Sequence, residues 1–221
     1  MHALDQVVQQ KHLLSHPFYQ RWMQGTLSKS ELQTYVKNYQ PHVEAFPRYV
    51  SAVHAQCESV QTRKALLDNL IEEEHGSENH PELWLRFGEA LDLSRENIVS
   101  CAKLPQAKVL MDTFLALTQK SFASGLGALY AYESQVPDVA KQKIEGLQKH
   151  YGIDQPRGLA FFEVHLQADE YHAQSEKDAF DQLTDAQKKE AIEAASIACD
   201  TLWNFLSAID EAHGITSTMH C

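Results

Sequence analysis

Two histidines and a carboxylate are spaced so that a single face of a helix would carry all three. In the segment FFEVHLQADEYHAQSEK, Asp169 and His172 follow His165 by four and seven residues. At about 100° per residue, these steps come within about 40° of whole turns, so the three side chains would lie on adjacent turns. Imidazole and carboxylate ligands suit borderline transition metals such as iron, manganese or zinc. The spacing therefore indicates a metal-binding helix.

A second pair repeats the seven-residue step, and one further carboxylate extends the set. Glu73 and His80 lie in IEEEHGSENHPELW, and Glu133 follows Tyr130 and Tyr132 near the end of the most apolar predicted helix. If these groups converged without a cation, their carboxylates would repel one another by about 4 kcal/mol per pair at about 4 Å and an effective dielectric of about 20. Two divalent ions would neutralise that repulsion. A shell of three imidazoles and three carboxylates favours iron or manganese over magnesium or calcium.

Each of these motifs also has an ordinary structural explanation. With 12 His and 30 Asp+Glu in 221 residues, His-x3-acid-x2-His arises by chance in roughly one chain in ten. A run of glutamates such as residues 72–74 usually forms a solvated helix face. From spacing alone, a metal site and a solvated face are therefore equally good interpretations. The residues most easily mistaken for ligands are His75 and Glu170. Six further histidines are expected at the surface or as helix caps: His12, His16, His42, His54, His75 and His150.

The composition excludes several classes of protein. The chain has few Gly (9) and Pro (7) and 43% apolar residues. We therefore predict one domain over residues 1–213 and a disordered tail over residues 214–221. A net charge of −11 without a basic cluster argues against nucleic-acid binding. No apolar stretch approaches the roughly 20 residues of a membrane span. The N-terminal segment lacks the pattern of a signal peptide, which predicts a cytoplasmic protein. The cysteines are scattered, which predicts neither disulfides nor thiolate metal ligands; they are Cys57, Cys101, Cys199 and Cys221.

Helical periodicity recurs along nearly the whole chain, whereas strand-like alternation is absent. We therefore predict an all-α bundle of about seven or eight helices. Ser28 with Glu31 and Thr184 with Gln187 form capping boxes that mark two helix starts. The stretch from Pro105 to about residue 135 is expected to be one long helix. The helix over residues 60–76 is expected to bury its leucines and isoleucine: Leu66, Leu67, Leu70 and Ile71.

The same residues carry a resemblance to a known family. The chain resembles the TenA/PqqC-type, haem-oxygenase-like helical family over nearly its whole length. The resemblance is carried by the segments KHLLSHPFYQRW, ELQTYVKNYQPHVEAFPRYVSAVH, LLDNLIEEEHGSENHPELW, ALYAYESQVPDVAKQKIEGL and FFEVHLQADEYHAQSEK. The similarity is greatest to its CADD-like di-iron branch. The resemblance implies a haem-oxygenase-like bundle, a homodimer, and the use of dioxygen with an external reductant. It further implies two metal ions, iron or an iron–manganese pair, bound by six residues: Glu73, His80, Glu133, His165, Asp169 and His172.

The resemblance also implies an unusual reaction, the oxygen-dependent synthesis of the folate precursor 4-aminobenzoate from the protein's own side chains. In that branch a tyrosine supplies the ring and a lysine supplies the amino group. The matching positions are Tyr19 in HPFYQRW and Lys143 in VAKQKIEGL. Without the resemblance, Tyr19 would be interpreted as a core aromatic residue and Lys143 as a surface lysine. Four other tyrosines are alternatives for the oxidised ring or for a radical relay: Tyr35, Tyr39, Tyr130 and Tyr132.

Several other functions stay open at the level of sequence. The same di-metal centre would serve an external substrate such as a fatty acid or an amino acid. A cofactor-free oxidase of the PqqC type has no need for three carboxylates among imidazoles. A thiaminase-like enzyme needs a nucleophilic cysteine, and none lies beside a ligand motif. A non-enzymatic binding protein would keep its function without metal. Death-domain binding, the property that gave the branch its name, has no recognisable basis in this sequence.

Overall fold

The computed structural model describes residues 2–215, apart from the side chains of residues 167–170. In that part of the chain there are eleven α-helices, a 3-10 turn at Leu13–Ser15 and no strand. The helices are α1 (Ala3–Gln10), α2 (Pro17–Gln24), α3 (Lys29–Gln56), α4 (Val60–Glu74), α5 (His80–Ala90), α6 (Arg95–Ser100), α7 (Pro105–Lys120), α8 (Phe122–Glu133), α9 (Val136–His150), α10 (Pro156–Asp181) and α11 (Asp185–Ala212). The tail residues 216–221 lie outside the described part.

The all-α prediction is confirmed, although the helices are more numerous than the seven or eight expected. One reason is Ser121, whose extended backbone (φ −163°, ψ 163°) divides the single helix expected over residues 105–135 into α7 and α8. Its hydroxyl accepts the backbone N–H of Ser124 and so caps α8. Both halves bury apolar residues, and a break of one residue therefore leaves no trace in the hydrophobic pattern. Another reason is the N-terminal segment, where His12 and His16 cap two short elements that periodicity missed.

Both predicted capping boxes are present at the starts of the two longest helices. Ser28 caps α3 together with Glu31, and Thr184 caps α11 together with Gln187. Helix α3 continues through Pro41 and Pro47. These long helices frame the bundle in which the candidate site lies.

Helix α8 is the most deeply buried element of the bundle. All of its residues from Ala123 to Glu133 are buried, and it packs mainly against α11 and also against α7 and α10. Gly127 permits this packing, because a Cβ there would lie 2.0 Å from the carbonyl oxygen of Ala191 on α11. Glu133 is therefore the last residue of a helix that is buried from its second residue onward.

The burial of α4 differs from the prediction. Leu66 is buried and Leu70 is half-buried, but Leu67 and Ile71 are 43% and 49% exposed. The positions that face the interior with Leu66 are Asn69 and Glu73. Burying a carboxylate costs free energy unless other groups or ions compensate it. The orientation of α4 therefore points to a role other than packing.

Two further expectations concern membranes and cysteines. None of the described helices combines the length and the apolar composition that crossing a bilayer requires. Cys57, Cys101 and Cys199 are free thiols, as the sequence predicts, whereas Cys221 lies outside the described residues.

Candidate metal centre and aromatic chamber

Three of the six predicted ligands lie together inside the bundle. Glu73, His80 and His165 are all buried, and one ligand atom from each lies within 4.8 Å of the other two. Glu73 Oε2 is 2.8 Å from His80 Nδ1, and the His80 and His165 rings are 4.4 Å apart between centroids. Because Asn79 caps α5, His80 is the first residue of that helix and faces α4 and α10. Three helices thus each contribute one donor.

Two more predicted ligands, Glu133 at the end of α8 and His172 on α10, form a second group. His172 Nδ1 lies 3.8 Å from Glu133 Oε2, and its Nε2 lies 3.5 Å from Glu72 Oε2. Asn69 donates hydrogen bonds from Nδ2 to both carboxylate oxygens of Glu133, at 3.0 and 3.2 Å. Sequence reasoning missed Asn69, although its position four residues before Glu73 places it on the same face of α4.

The sixth predicted ligand, Asp169, belongs to residues 167–170, whose side chains lie outside the described part of the structure. Its role stays a prediction, as does the interpretation of Glu170. The backbone of Asp169 is within α10, between His165 and His172, where the spacing requires it. The other residue named as a false candidate, His75, is exposed at the end of α4.

The electrostatics of the first group fit a bound cation. Burial raises the pKa of Glu73 to about 8, against the effect of His172 and with a contribution from Glu72. A carboxyl group in that state takes up a proton at neutral pH unless a positive ion stabilises its anion. His165 Nδ1 donates to the carbonyl oxygen of Phe161, which leaves Nε2 as the nitrogen that would bind a metal. The buried nitrogen and oxygen donors therefore suit a transition-metal ion.

A small cavity, which we name the aromatic chamber, extends from His165 to Tyr19 and Lys143. Its volume is about 20 Å³. Its lining includes Tyr19, Tyr39, Tyr132, Lys143, Phe162 and His165. The two residues implied as reactants thus share one cavity with a predicted metal ligand.

Lys143 is buried within this chamber rather than placed at the surface. Its Nζ donates to Tyr35 Oη at 2.8 Å, and the hydroxyls of Tyr35 and Tyr19 are 3.1 Å apart. The same Nζ lies 5.2 Å from the centre of the Tyr19 ring. Burial lowers the pKa of Lys143 to about 7, so a large fraction of the amine is neutral at neutral pH.

Helices α2 and α9 hold Tyr19 and Lys143 against each other. Trp22 on α2 donates from Nε1 to the carbonyl oxygen of Lys143 at 3.2 Å. A Cβ at Gly146 would lie 2.7 Å from the Trp22 ring, so the glycine allows the two helices to approach closely. The contact joins segments far apart in sequence, which explains why no local pattern reveals it.

Three of the other four tyrosines connect the chamber to the end of α8. The rings of Tyr35 and Tyr39 stack at 5.2 Å, and Tyr39 donates to Tyr132 Oη at 3.0 Å. Burial raises the pKa of Tyr19, Tyr35 and Tyr39 above the usual value, so all three remain neutral phenols. Tyr130 instead donates to Asp5 outside the chamber.

His42 is the histidine for which the expected surface or capping position is wrong. It is 1% exposed and packs among the rings of Tyr39, Tyr49, Phe114 and Tyr132. Burial lowers its pKa to about 3. Neither ring nitrogen has a hydrogen-bond partner among the described atoms. The apolar neighbours on α3 explain its position, because residue 42 lies on the buried face of that helix.

Comparison with known proteins shows the family to which the chain belongs. The profile of a family described as iron-containing redox enzymes matches residues 33–203 of the chain. The chain belongs to this family. A relative from Chlamydia muridarum, named 4-aminobenzoate synthase, is 41% identical over 219 residues, which are 99% of this chain and 92% of the relative. A pyrroloquinoline-quinone synthase from Klebsiella pneumoniae is more distant, at 25% identity over 91% of this chain and 82% of its own.

The fold of this iron-containing redox enzyme also has solved counterparts. A TenA homologue from Pseudomonas syringae pv. tomato superimposes with a TM-score of 0.79 at 17% identity, covering 94% of this chain and 92% of that one. This similarity confirms the haem-oxygenase-like TenA fold implied by the sequence. The clustered Glu73, His80 and His165 could hold a metal ion, and the chain belongs to a family of iron-containing enzymes.

Proposed function

We propose that this protein is a di-metal oxygenase that forms 4-aminobenzoate from its own Tyr19 ring and Lys143 amino group. The observation that carries the proposal is the position of both side chains in one buried cavity that also contacts His165. Membership of an iron-containing redox family and the named relative at 41% identity support it. Neither a core aromatic residue nor a surface lysine would require this juxtaposition.

The metal ions in this proposal are two, either iron or an iron–manganese pair, and they are held by the six residues predicted as ligands. When bound and reduced, such a centre supplies the activation of dioxygen that oxidation of a phenol ring requires. The protein's own contribution is to hold the ligands in place. Asn69 orients the Glu133 carboxylate, and the Phe161 carbonyl orients the His165 ring.

Within the chamber, the protein keeps the amine of Lys143 available as a nucleophile. An ammonium group has no lone pair, and burial favours the neutral amine that does. Tyr35 accepts the hydrogen bond from Nζ and so holds the amine beside the Tyr19 ring. The surrounding aromatic side chains limit the water beside the amine, which would otherwise compete with it for an oxidised ring.

The size of the chamber argues against an external substrate. A cavity of about 20 Å³ has room for about one water molecule. A fatty acid or an amino acid does not fit beside Lys143 without displacement of the aromatic side chains. Buried carboxylates among the imidazoles likewise argue against a cofactor-free oxidase.

Mass spectrometry after aerobic reaction with ferrous iron and a reductant tests the proposal. We expect the protein to lose mass at Tyr19 and at Lys143, with 4-aminobenzoate in the filtrate. The variants Tyr19→Phe and Lys143→Met should form none. Tyr130→Phe, outside the chamber, and Lys141→Met, on the exposed face of α9, are matched controls that should still form it. Product formation by Tyr19→Phe would refute the proposal.

The assembly and the cellular location are proposed from the resemblance and the composition. We expect a homodimer, which sedimentation velocity of the full chain would measure. A monomer at micromolar concentration would contradict it. The predicted cytoplasmic location is compatible with the free thiols of Cys57, Cys101 and Cys199.

A further inference from the structure

A surface cleft between α4 and α10 leads toward the predicted ligand His172. The cleft has a volume of about 700 Å³. Its inner wall is shared with a small cavity of about 10 Å³ that contacts His172 and Glu176. The shared residues are Thr62, Ala65 and Ser175. The cleft and the inner cavity therefore adjoin at a neck of three small side chains, and together they lie between the surface and the candidate metal centre.

Carboxylates line both the cleft and the inner cavity, and one further carboxylate lies beside His172. Glu58 and Asp178 line the outer cleft, and the half-exposed Glu72 lies 3.5 Å from His172 Nε2. Glu176 lines the inner cavity and is 3% exposed. It follows His172 by four residues on α10, so the two side chains lie on the same face. None of these four carboxylates is among the six predicted ligands.

The aromatic chamber on the other side of His165 has the opposite chemistry. No carboxylate is among its lining residues in the described part of the chain, where aromatic and aliphatic side chains predominate. A divalent cation that crossed it would have to lose its hydration shell without compensation. A path lined by carboxylates replaces water ligands with anionic oxygens and concentrates cations at its mouth.

We propose that the cleft between α4 and α10 is the entry path of the divalent metal ions, and that Glu176 passes each ion inward to His172 without remaining its ligand. This inference rests on the metal centre of the proposed function and adds the route by which that centre is loaded. It also assigns a role to a buried carboxylate that the proposed oxygenase reaction does not use.

The rate of metal uptake by the metal-free full-length protein tests this path. Cobalt(II) is mixed rapidly with the protein, and its visible absorption is followed as it becomes coordinated. We expect Glu176→Gln to bind as many ions at equilibrium as the wild type but about tenfold more slowly, at the lower end of the effect of electrostatic focusing. Glu163→Gln, the same change at an exposed position of the same helix, should not alter the rate.

A second variant tests the path by its width rather than its charge. Ala65→Phe places a large side chain in the neck and should also slow metal uptake. If circular dichroism shows that Glu176→Gln is unfolded, the uptake rate of Ala65→Phe tests the path in its place. Wild-type rates in the folded variants would overturn the path alone. Loss of a bound ion at equilibrium in Glu176→Gln would make Glu176 a permanent ligand and overturn its transfer role. A wild-type protein that binds no cobalt would overturn the metal centre as well.

Discussion

Replacement of Lys143 by methionine should stabilise the protein at neutral pH, because the lysine must give up its proton to be buried. The pKa of its amine falls from 10.5 to about 7 on burial. At about 1.36 kcal/mol per pKa unit, this shift costs the folded state up to about 5 kcal/mol near pH 7. Loss of the hydrogen bond to Tyr35 offsets about 1 kcal/mol of the gain. We therefore expect Lys143→Met to raise the free energy of unfolding by about 2–4 kcal/mol.

The stability cost of burying Lys143 changes with pH, and the direction of the change follows from which state binds the proton. Above pH 10.5 the amine is neutral in both states, so burial has no protonation cost. As the pH falls toward about 7, the unfolded chain binds a proton that the folded chain does not, and the folded state loses stability. Below about 7 both states are protonated and the loss is constant. The advantage of Lys143→Met should therefore shrink by about 2 kcal/mol between pH 7 and pH 9.

Urea unfolding of the metal-free protein and the variant at several pH values measures this difference. Titrating groups that both proteins contain, such as tyrosines and carboxylates, contribute equally to both stabilities, so their contributions cancel in the difference. Lys141→Met, at an exposed position two residues away, is the matched control and should show no such trend. A stability difference that stays constant between pH 7 and pH 9 would refute the reasoning, because it would mean that Lys143 is solvated or permanently charged.

Three further predictions follow from the site and from the packing of α8. Saturating ferrous iron should raise the melting temperature by about 5–10 °C, because binding at a hundredfold excess over Kd contributes about 2.7 kcal/mol; equal midpoints with and without iron would contradict it. Asn69→Leu should weaken metal binding about 10–100-fold, as measured by chelator competition, because Glu133 loses both hydrogen bonds; an unchanged affinity would exclude this orienting role. Gly127→Ala should destabilise the protein by about 3 kcal/mol or more in urea unfolding, since the added Cβ overlaps the Ala191 carbonyl. A loss below about 1 kcal/mol would show that α8 and α11 separate easily.

The features that the sequence predicts correctly are those encoded by neighbouring residues. Capping boxes use side chains three residues apart, and both are present. The placement of His165 and His172 along one helix follows from their spacing, whereas Glu73, His80 and His165 come from α4, α5 and α10, and only the resemblance grouped them. The break at Ser121 was missed because its backbone conformation is set by the packing of two helices that are both apolar.

The aromatic chamber illustrates what local patterns cannot reveal. Tyr19 and Lys143 meet because α2 packs against α9, through Trp22 and Gly146. Such a contact between distant segments has no periodic signature. Lysine is also among the residues least often buried, so statistics alone place it at the surface. Only the resemblance to a known family pointed to these two residues, and their burial and contact are the features on which the proposed reaction depends.

The expectation that apolar side chains face the interior is wrong for helix α4, which carries part of the candidate metal centre. This expectation selects the face with Leu67 and Ile71, yet these residues are exposed and Glu73 is buried. Since successive residues differ by about 100°, the run 72–74 can direct only one of its glutamates at His80. Turning that glutamate inward carries the two apolar side chains outward. A helix arranged in this way gains less from packing than its composition allows, and its buried carboxylate needs a positive partner. The stability of α4 should therefore depend on the cation more than that of α8, whose residues are nearly all apolar. Faster hydrogen exchange in α4 than in α8 on removal of metal is the expected consequence.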